Sequence, residues 1–540
     1  MSRLPVARHA SDGVVTSQHR LAAQGSRFAI ATPHHLATRA GVDAFARGGN
    51  ALDAAVAAAV TLAVVYPHMC GVGGDLFALV RRGEGEIIAV NASGGAPLAI
   101  DVDAIRRHHG TMPLHGPAPI TVPGAVSGWH ALWGLGAARP FAAAFEHGLA
   151  AARDGVPVSG SLARSLARET DLRLADAGLR AVFAADGRPL GLGARLLQRA
   201  LARTLAAIAA DGPAAVYGGD VGAALVRGLN ERGSAISLGD LRAHQAQLVA
   251  PLVRPYRDLE VSVVPPNSQG FALLQILRAI ERAGLDPDPL GRDAARLAVL
   301  FHAVAGERDR NNADPRAVHV DVDALLRDDH IDALLETPDQ RGTYVPARRP
   351  TGDTIALVAA DSDGNAVSLI QSLYDGFGSG ILEPSTGIVL HNRGSAFSLD
   401  PASPNVLAGG KRPAHTLMPV LVQAKGEPVA VSGSMGGGGQ PQINAQNLLR
   451  ALDLGLHPHE AIAAPRWLVG GMELNAGRSI DAESRVPSHI LDGFARAGFA
   501  VTLLDGIDEG VGHAHLIVRK RNGTFEVGSD PRADGEAAAR

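Results

Sequence analysis

The chain has 540 residues, of which 46 % are apolar and 19 % charged, and its formal net charge is −4. Such a length and balance allow a large core, while the near-neutral charge, with no basic domain, argues against nucleic acid as a partner. The single cysteine, Cys70, excludes an internal disulfide framework and argues against a cysteine-based metal centre.

Residues 1–27 are polar and irregular and are expected to form a loosely held arm without the apolar stretch of a signal peptide. The longest apolar run, 54–66, follows Asp53 and is too short to cross a bilayer, so a cytoplasmic protein is expected. From Phe28 the pattern predicts a short strand and a helix that stops at Gly48-Gly49, where glycine suits a left-handed cap. Asn50 then caps a helix over Ala51–Val65 that is apolar on nearly every face and must be buried. A glycine-rich turn, 71–74, leads into strands over Leu76–Arg81 and Glu86–Asn91. That turn lacks the G-x-G-x-x-G form and a following helix, which argues against phosphate binding.

Residues 100–250 read as mostly helical, with amphipathic stretches at Leu196–Ala209 and Ala223–Gly233. Strands are expected within 251–265 and helices over Gly270–Ala283 and Ala295–Arg308. Residues 311–350 are polar, charged and proline-containing, in the manner of an exposed connection. Then Thr354–Ala360 and Ala366–Leu373 read as two strands joined by the turn signal "DSDGN", that is, as a hairpin whose first strand begins at a threonine. Further strands are expected at Gly387–His391, Pro419–Gln423 and Val429–Gly433, helices at Gln442–Leu454 and His459–Ala464, and finally a strand pair and a polar tail.

A threonine that opens a strand after a cleavable loop carries a specific chemistry. Once freed as a chain terminus, its α-amine can accept the proton of its own hydroxyl, so nucleophile and base come from one residue. Threonine also starts strands for ordinary reasons of β preference. What singles out Thr354 is a set of ordered motifs. "GGNALDAAVAAAVTLAVVYPHMCGVGGDLFALV", "TVPGAVSGW" (121–129), "PPNSQGFALLQIL" (265–277), "DGNAVSLIQSLYDGFGSGI" (363–381), "GKRPAHTLMP" (410–419) and "SGSMGGGGQPQI" (432–443) together resemble the γ-glutamyltransferase family from about 28 to 535.

The resemblance implies an α+β protein, a four-layer αββα sandwich of the N-terminal-nucleophile hydrolase type with a mostly helical large-subunit portion. It implies self-cleavage between Asp353 and Thr354 into a large subunit, 28–353 after the arm, and a small catalytic subunit, 354–540, both contributing to one core. Thr354 is the implied nucleophile and Ser372 the hydroxyl that orients its amine. The backbone N–H groups of Gly436 and Gly437 are the implied oxyanion hole, a role that favours residues without a Cβ. No cofactor is expected, and the isolated histidine clusters and single cysteine argue against a metal. Partners are a small-molecule amide and the two subunits of one precursor, with further dimerisation open and no membrane.

The match fails where family transpeptidases hold the carboxylate and amine of a γ-glutamyl group. Ser93 stands where an arginine is expected, Ser395 and Ala396 replace an acidic pair, Tyr374 replaces an asparagine, and His415-Thr416 replaces a serine pair. The segment between Phe397 and Lys411 is also short. This pattern is similar to the amidase and acylase branches of the family, oxamate amidohydrolase among them. Arg393 and His415 are available to hold a carboxylate from another direction, with Thr416, Tyr374, Asn392 and Ser93 as further substrate contacts; a structural ion pair is the ordinary alternative for Arg393. Hydrolysis of a small amide through an acyl-enzyme on Thr354 is the leading expectation. The alternatives are a glutathione hydrolase or γ-glutamyl transpeptidase with a rearranged clamp, and a self-processed binding protein without activity. Histidine pairs at 34–35 and 108–109 and His-x-His at 457–459 and 513–515 lack partner ligands in the sequence and read as surface or capping residues.

Overall fold

The computed structural model describes residues 20–168, 170, 175–336, 352–472 and 477–540. In chain order the strands of its two main sheets are β1 (Ala22–Gly25), β2 (Phe28–Thr32), β3 (Asp75–Arg81), β4 (Ile87–Ala92), β5 (Gln247–Val249), β6 (Leu252–Tyr256), β7 (Leu259–Val263), β8 (Gly352–Asp361), β9 (Ala366–Asp375), β10 (Val420–Ala424), β11 (Glu427–Ser434), β12 (Ala514–Arg519), β13 (Phe525–Ser529) and β14 (Glu536–Ala539). The first sheet runs β14-β2-β8-β9-β3-β4-β5 and the second β1-β13-β12-β11-β10-β7-β6, each seven-stranded and antiparallel throughout.

Period-2 alternation decides the layers. Along β8, Ile355, Leu357 and Ala359 join one apolar cluster while Ala356, Val358 and Ala360 join another. Along β9 the odd residues Val367, Leu369 and Leu373 face the first cluster, and Ala366 and Ile370 the second. The first cluster is completed by the helices α1 (His35–Ala46), α2 (Ala51–Val65) and α3 (Ala125–Gly134). The second also contains Leu421, Val431 and Ile517, so it is the filling between the two sheets. A third cluster lies on the far side of the second sheet, under α4 (Gly270–Ala283), α5 (Ala294–Asn311) and α6 (Gln440–Leu448). Helices, sheet, sheet and helices thus stack as four layers, an αββα sandwich.

Two details bring the sheets and helices close. Every residue of α2 is buried, and its N-terminus carries a reciprocal cap between Asn50 and Asp53. The many alanines let it approach β9, where buried Gln371 donates to the Ala59 carbonyl at 2.8 Å and accepts from Trp129 Nε1 at 2.9 Å. Between the sheets, Ser368 on β9 donates to the Ser432 carbonyl on β11 at 2.7 Å. Gly433 makes this approach possible: a Cβ there would lie 3.2 Å from the Ala356 Cβ.

Several expectations are corrected. Ala22–Gly25, at the end of the segment read as a loose arm, is a strand paired with β13, and the start of that arm lies outside the described residues. The expected polar tail is β14, which extends the first sheet beyond β2. The connection expected at 311–350 is structured at its start: Val322–Leu325 and Asp328–Glu336 are helical and Asp314 is buried. Residues 337–350 lie outside the described residues. The strand expected at Gly387–His391 is only Ile388–Val389, because Gly387 takes a positive φ and Leu390 turns its N–H to the Ile381 carbonyl.

Candidate active site

The hairpin β8–β9 occupies the middle of the first sheet, and the pairing register places Thr354 opposite Ser372 and Ser372 opposite Asp75. Thr354 has the parity of Ala356, Ser372 that of Ile370, and Asp75 that of Phe77, so all three face the space between the sheets. All three are buried. The ladder slips between Asp353 and Thr354: Asp353 pairs with Tyr374, and Leu373 is the extra residue of a β-bulge. Leu373 is held from outside the hairpin, its N–H on the Met69 carbonyl and its carbonyl accepting from Asn392 N–H. Tyr374, directly after the bulge, takes φ 81°, a conformation that costs a non-glycine residue energy.

The Ser372 hydroxyl is saturated by three partners. It donates to the Asp353 carbonyl at 2.9 Å and accepts the Tyr374 N–H at 2.7 Å. Thr354 Oγ1, 2.8 Å away, is therefore the donor in the third bond. The glycine turn at 71–74 approaches this point from the side. A Cβ on Gly74 would come within 2.4 Å of the Ser372 carbonyl oxygen, so the glycine allows backbone contact there.

Gly436 and Gly437 lie in the turn after β11 with φ of 150° and 50°. A Cβ on Gly437 would meet the Met472 carbonyl at 2.4 Å. Among the described residues neither Gly436 N–H nor Gly437 N–H has an acceptor, whereas Gly438 N–H and Gly439 N–H bond to the Met472 and Gly436 carbonyls. The turn packs against β8. Gln269 ties it to the other side of the site, its Nε2 donating to the Gly437 carbonyl at 2.9 Å and the Thr416 carbonyl at 2.6 Å. Arg308 Nη1 in turn donates to Gln269 Oε1 and to the Gly438 carbonyl.

Arg393 is fully buried, its guanidinium carbon 3.8 Å from the centre of the Tyr374 ring. Its Nη1 donates to Thr416 Oγ1 at 3.3 Å, while Nη2 has no hydrogen-bond partner and the residue makes no ion pair among the described residues. Burial lowers its pKa to about 10, which leaves it charged at neutral pH. Among the described residues the structural ion pair considered as the ordinary alternative is not found.

His415 points elsewhere. Its Nε2 lies 3.0 Å from Asp75 Oδ2, and its Nδ1 accepts from Leu417 N–H at 3.3 Å. The same Asp75 oxygen is 3.4 Å from His391 Nδ1, and Oδ1 accepts from Gly94 N–H. His391 Nε2 meets the Thr121 carbonyl at 2.9 Å. Despite burial, the two imidazoles hold Asp75 far below the usual carboxylate range. Asn392 and Ser93 are committed to scaffolding. Asn392 Nδ2 donates to the Leu114 carbonyl and its Oδ1 accepts from Asp375 N–H. Ser93 donates to Asn91 and accepts from Asn267, next to the segment that carries His415. Of the candidate residues, the structure gathers Thr354, Asp353, Ser372 and Tyr374 at the bulge. Arg393 and Thr416 join at Tyr374, Gln269 links Thr416 to the Gly437 turn, and His415 sits beyond Asp75. Sequence reasoning missed Asp75, His391, Gln269 and Arg308. The readable signal for Asp75 was an acid directly after a glycine turn, on the same strand face as Phe77.

An αββα sandwich of two antiparallel sheets between helical layers is the fold of the N-terminal-nucleophile class of amide hydrolases. Residues 37–540 match the family model described as Gamma-glutamyltranspeptidase. The chain is 37 % identical over 516 residues to the oxamate amidohydrolase proenzyme of Klebsiella pneumoniae, covering 94 % of this chain and 97 % of that one. It is 36 % identical over 518 residues to the glutathione hydrolase-like YwrD proenzyme of Bacillus subtilis, covering 95 % and 98 %. The crystal structure of a cephalosporin acylase from Bacillus halodurans superposes with a TM-score of 0.89 at 30 % identity over 99 % of both chains. The chain belongs to the γ-glutamyltranspeptidase family. No helix among its described residues is long and apolar enough to cross a membrane.

The buried histidines set an acid limit on stability. Burial lowers His415 and His515 to about 3 and His244 and His513 to about 4. An unfolded histidine titrates near 6.5, so below that pH the unfolded state binds protons that the folded state refuses. Stability is therefore full above about pH 6.5 and falls toward pH 4, by about 1.4 kcal/mol per pH unit for each such histidine. Asp75, with its depressed pKa, adds a further loss below about pH 4. Urea unfolding measured between pH 7 and pH 5 should show this slope, and His515→Gln should reduce it by about one proton; a flat profile contradicts it.

Proposed function

We propose that this protein is a self-processing amidohydrolase whose nucleophile is Thr354, acting on a small amide that carries a carboxylate. The observation that carries the reading is the saturated Ser372 hydroxyl. It links the Thr354 hydroxyl to the Asp353 carbonyl at the head of a central strand. In processing, Thr354 Oγ attacks the Asp353 carbonyl carbon through a five-membered ring, and Ser372 donates to the oxygen as it becomes negative. The C–N bond breaks as the Thr354 nitrogen takes up the hydroxyl proton. Water then hydrolyses the ester, leaving a carboxylate on Asp353 and a free amine on Thr354.

That amine is the base of the mature enzyme. It accepts the proton of Thr354 Oγ as the hydroxyl attacks the substrate carbonyl, and passes it to the departing nitrogen. The unpaired N–H groups of Gly436 and Gly437, at the turn that packs against β8, suit the oxyanion of the tetrahedral intermediate. Water releases the acyl group and regenerates Thr354. Both portions of the chain interleave in both sheets, so the fragments remain one particle after cleavage.

Arg393 supplies the substrate class. An unpaired buried cation costs several kcal/mol, and a substrate carboxylate on its free Nη2 offsets that cost. A γ-glutamyl group also brings an ammonium, and Asp75, the carboxylate that acts on Arg393, already has both oxygens engaged. An oxamate-type amide, with one carboxylate and no amine, suits the arrangement better than glutathione does. The first relative's name agrees with this chemistry.

Three tests follow from this reading. Purified protein should separate under denaturing conditions into fragments of roughly 36 and 19 kDa, the 55.6 kDa chain scaled by residue count, while Thr354→Ala stays whole. A small fragment beginning at any residue other than Thr354 removes the nucleophile assignment. Gly437→Ala forces a Cβ against the Met472 carbonyl and displaces the donor, so kcat should fall on the order of a hundredfold; unchanged turnover removes that role. Arg393→Met should raise KM for a carboxylate-bearing amide about tenfold or more, with little effect on its uncharged counterpart. Equal effects on both, or high glutathione turnover by the wild type, overturn the substrate class.

A further inference from the structure

The outer helical layer reaches into the site through two side chains. Gln269 immediately precedes α4 and Arg308 lies near the end of α5, and both are buried against the turn that follows β11. That turn, 436–439, is four glycines in succession. Glycine holds no backbone conformation of its own, so the directions of the turn's N–H groups depend on what grips its carbonyls.

Two peptide units of the turn are gripped at both ends. In the unit joining Gly437 to Gly438, the carbonyl accepts from Gln269 Nε2 at 2.9 Å and the N–H donates to the Met472 carbonyl at 2.8 Å. In the unit joining Gly438 to Gly439, the carbonyl accepts from Arg308 Nη1 and the N–H donates to the Gly436 carbonyl at 2.8 Å. The Gly436 carbonyl and the Gly437 N–H are opposite ends of one planar trans unit. A carbonyl held toward Gly439 therefore aims the Gly437 N–H the other way, where it has no acceptor among the described residues.

The side chains that do this have no slack. Gln269 gives one Nε2 hydrogen to Gly437 and the other to the Thr416 carbonyl at 2.6 Å, and its Oε1 accepts from Arg308 at 3.2 Å. Exchange of the amide nitrogen and oxygen would set an acceptor against two carbonyls, so the orientation is fixed. Arg308 pairs Nε and Nη2 with Asp309 at 2.8 and 2.7 Å, which offsets its charge and leaves Nη1 for Gln269 and Gly438. The Thr416 side is itself strapped down: the Asn267 carbonyl accepts from His415 N–H at 2.7 Å, and Ser268 Oγ donates to the Leu417 carbonyl at 2.6 Å. Gln269 thus ties a loose segment to a fixed one.

We propose that Gln269 and Arg308 are positioning residues for the oxyanion donor: they set the direction of the Gly437 N–H through the carbonyls of the glycine turn. This rests on the reading of Gly437 given above. The brace acts when negative charge develops on the substrate oxygen, so it bears on the chemical step and little on substrate binding.

The test compares Gln269→Met, Gln269→Glu and Gly437→Ala with the wild type on one carboxylate-bearing small amide. Methionine keeps the length of the side chain without its donors, and glutamate keeps its shape but turns an acceptor toward two carbonyls. In both Gln269 variants kcat should fall by about tenfold to a hundredfold, the effect of a donor displaced by roughly an ångström, while KM changes by less than about threefold. A boronic acid bearing the same carboxylate mimics the tetrahedral intermediate when its boron bonds to Thr354 Oγ and the α-amine takes the hydroxyl proton. Its affinity should fall by the same factor as kcat/KM, whereas that of the product acid should hardly change. Self-cleavage, which runs on Ser372, should proceed as in the wild type on a denaturing gel and reports that each variant folds. Equal losses for the boronate and the product acid, or self-cleavage slowed in step with kcat, overturn the positioning role. Unchanged kcat in both Gln269 variants, with a lowered one in Gly437→Ala, overturns the brace alone; unchanged kcat in all three overturns the reading of Gly437 with it.

Discussion

The Ser372 hydroxyl has one proton and two lone pairs, and all three are engaged at the head of β8. That saturation fixes the direction of every proton around the Asp353–Thr354 bond. It depends on the bulge at Leu373, because an unbroken ladder would carry the Tyr374 N–H and the Asp353 carbonyl past Ser372 instead of toward it. The bulge depends on contacts from outside the hairpin, from Met69 and Asn392, and it leaves Tyr374 at a positive φ. Strain at such a point persists only where the surroundings over-determine it. Here the surroundings are α2 and its following turn on one side and the second sheet on the other.

The same frame explains why small residues dominate the motifs. Alanines in α2, glycines at 73–74 and Gly433 each stand where another backbone or a neighbouring sheet comes within contact distance. Bulk at these places would push the hairpin away from the layers that define its geometry. Aromatic residues are scarce in the chain, yet Tyr374 places one ring where it stacks on a buried guanidinium. The stacking holds the plane of Arg393 while leaving one end of its fork free.

Much of this was legible from residue order. Helix α2 is found over the span its pattern predicts, because a run between Asn50 and Tyr66 that is apolar on nearly every face admits only a buried helix. The hairpin was readable from its alternation and from the "DSDGN" turn. The departures at Ser93, Tyr374 and His415-Thr416 were readable as departures from the family pattern, and their meaning as a lost γ-glutamyl clamp belongs to the proposal. Strand β1 was not legible, because Ala22–Gly25 has no strand pattern and forms only through pairing with the distant β13. Nor was the partition of the polar residues. Asn392 and Ser93 look like ligands in sequence, but Asn392 serves backbone groups and Ser93 the side chains of Asn91 and Asn267, whereas Asp75 looks like the end of a turn and proves to join two distant segments. Sequence order states which residues are polar; only the register states which strand face each one shares.

A single frame can serve both cleavage of the chain and cleavage of a substrate, and the geometry indicates how. Of the three bonds at Ser372, only the one to the Asp353 carbonyl involves the part of the chain that the proposed cleavage would release. The Tyr374 N–H and the Thr354 hydroxyl remain on the small fragment. Under the proposed cleavage, release of Asp353 would free the Ser372 proton at the place where a new α-amine would appear, and the hydroxyl could pair with that amine without any rotation of the hairpin. The bulge holds the ladder open there, so release of Gly352 and Asp353 would cost the sheet only the Gly352–Asp375 and Asp353–Tyr374 pairs. In that proposal the position of the chain's own carbonyl would become the place for a foreign one, near the Arg393 Nη2 and the Gly436 and Gly437 N–H groups, which have no partner among the described residues.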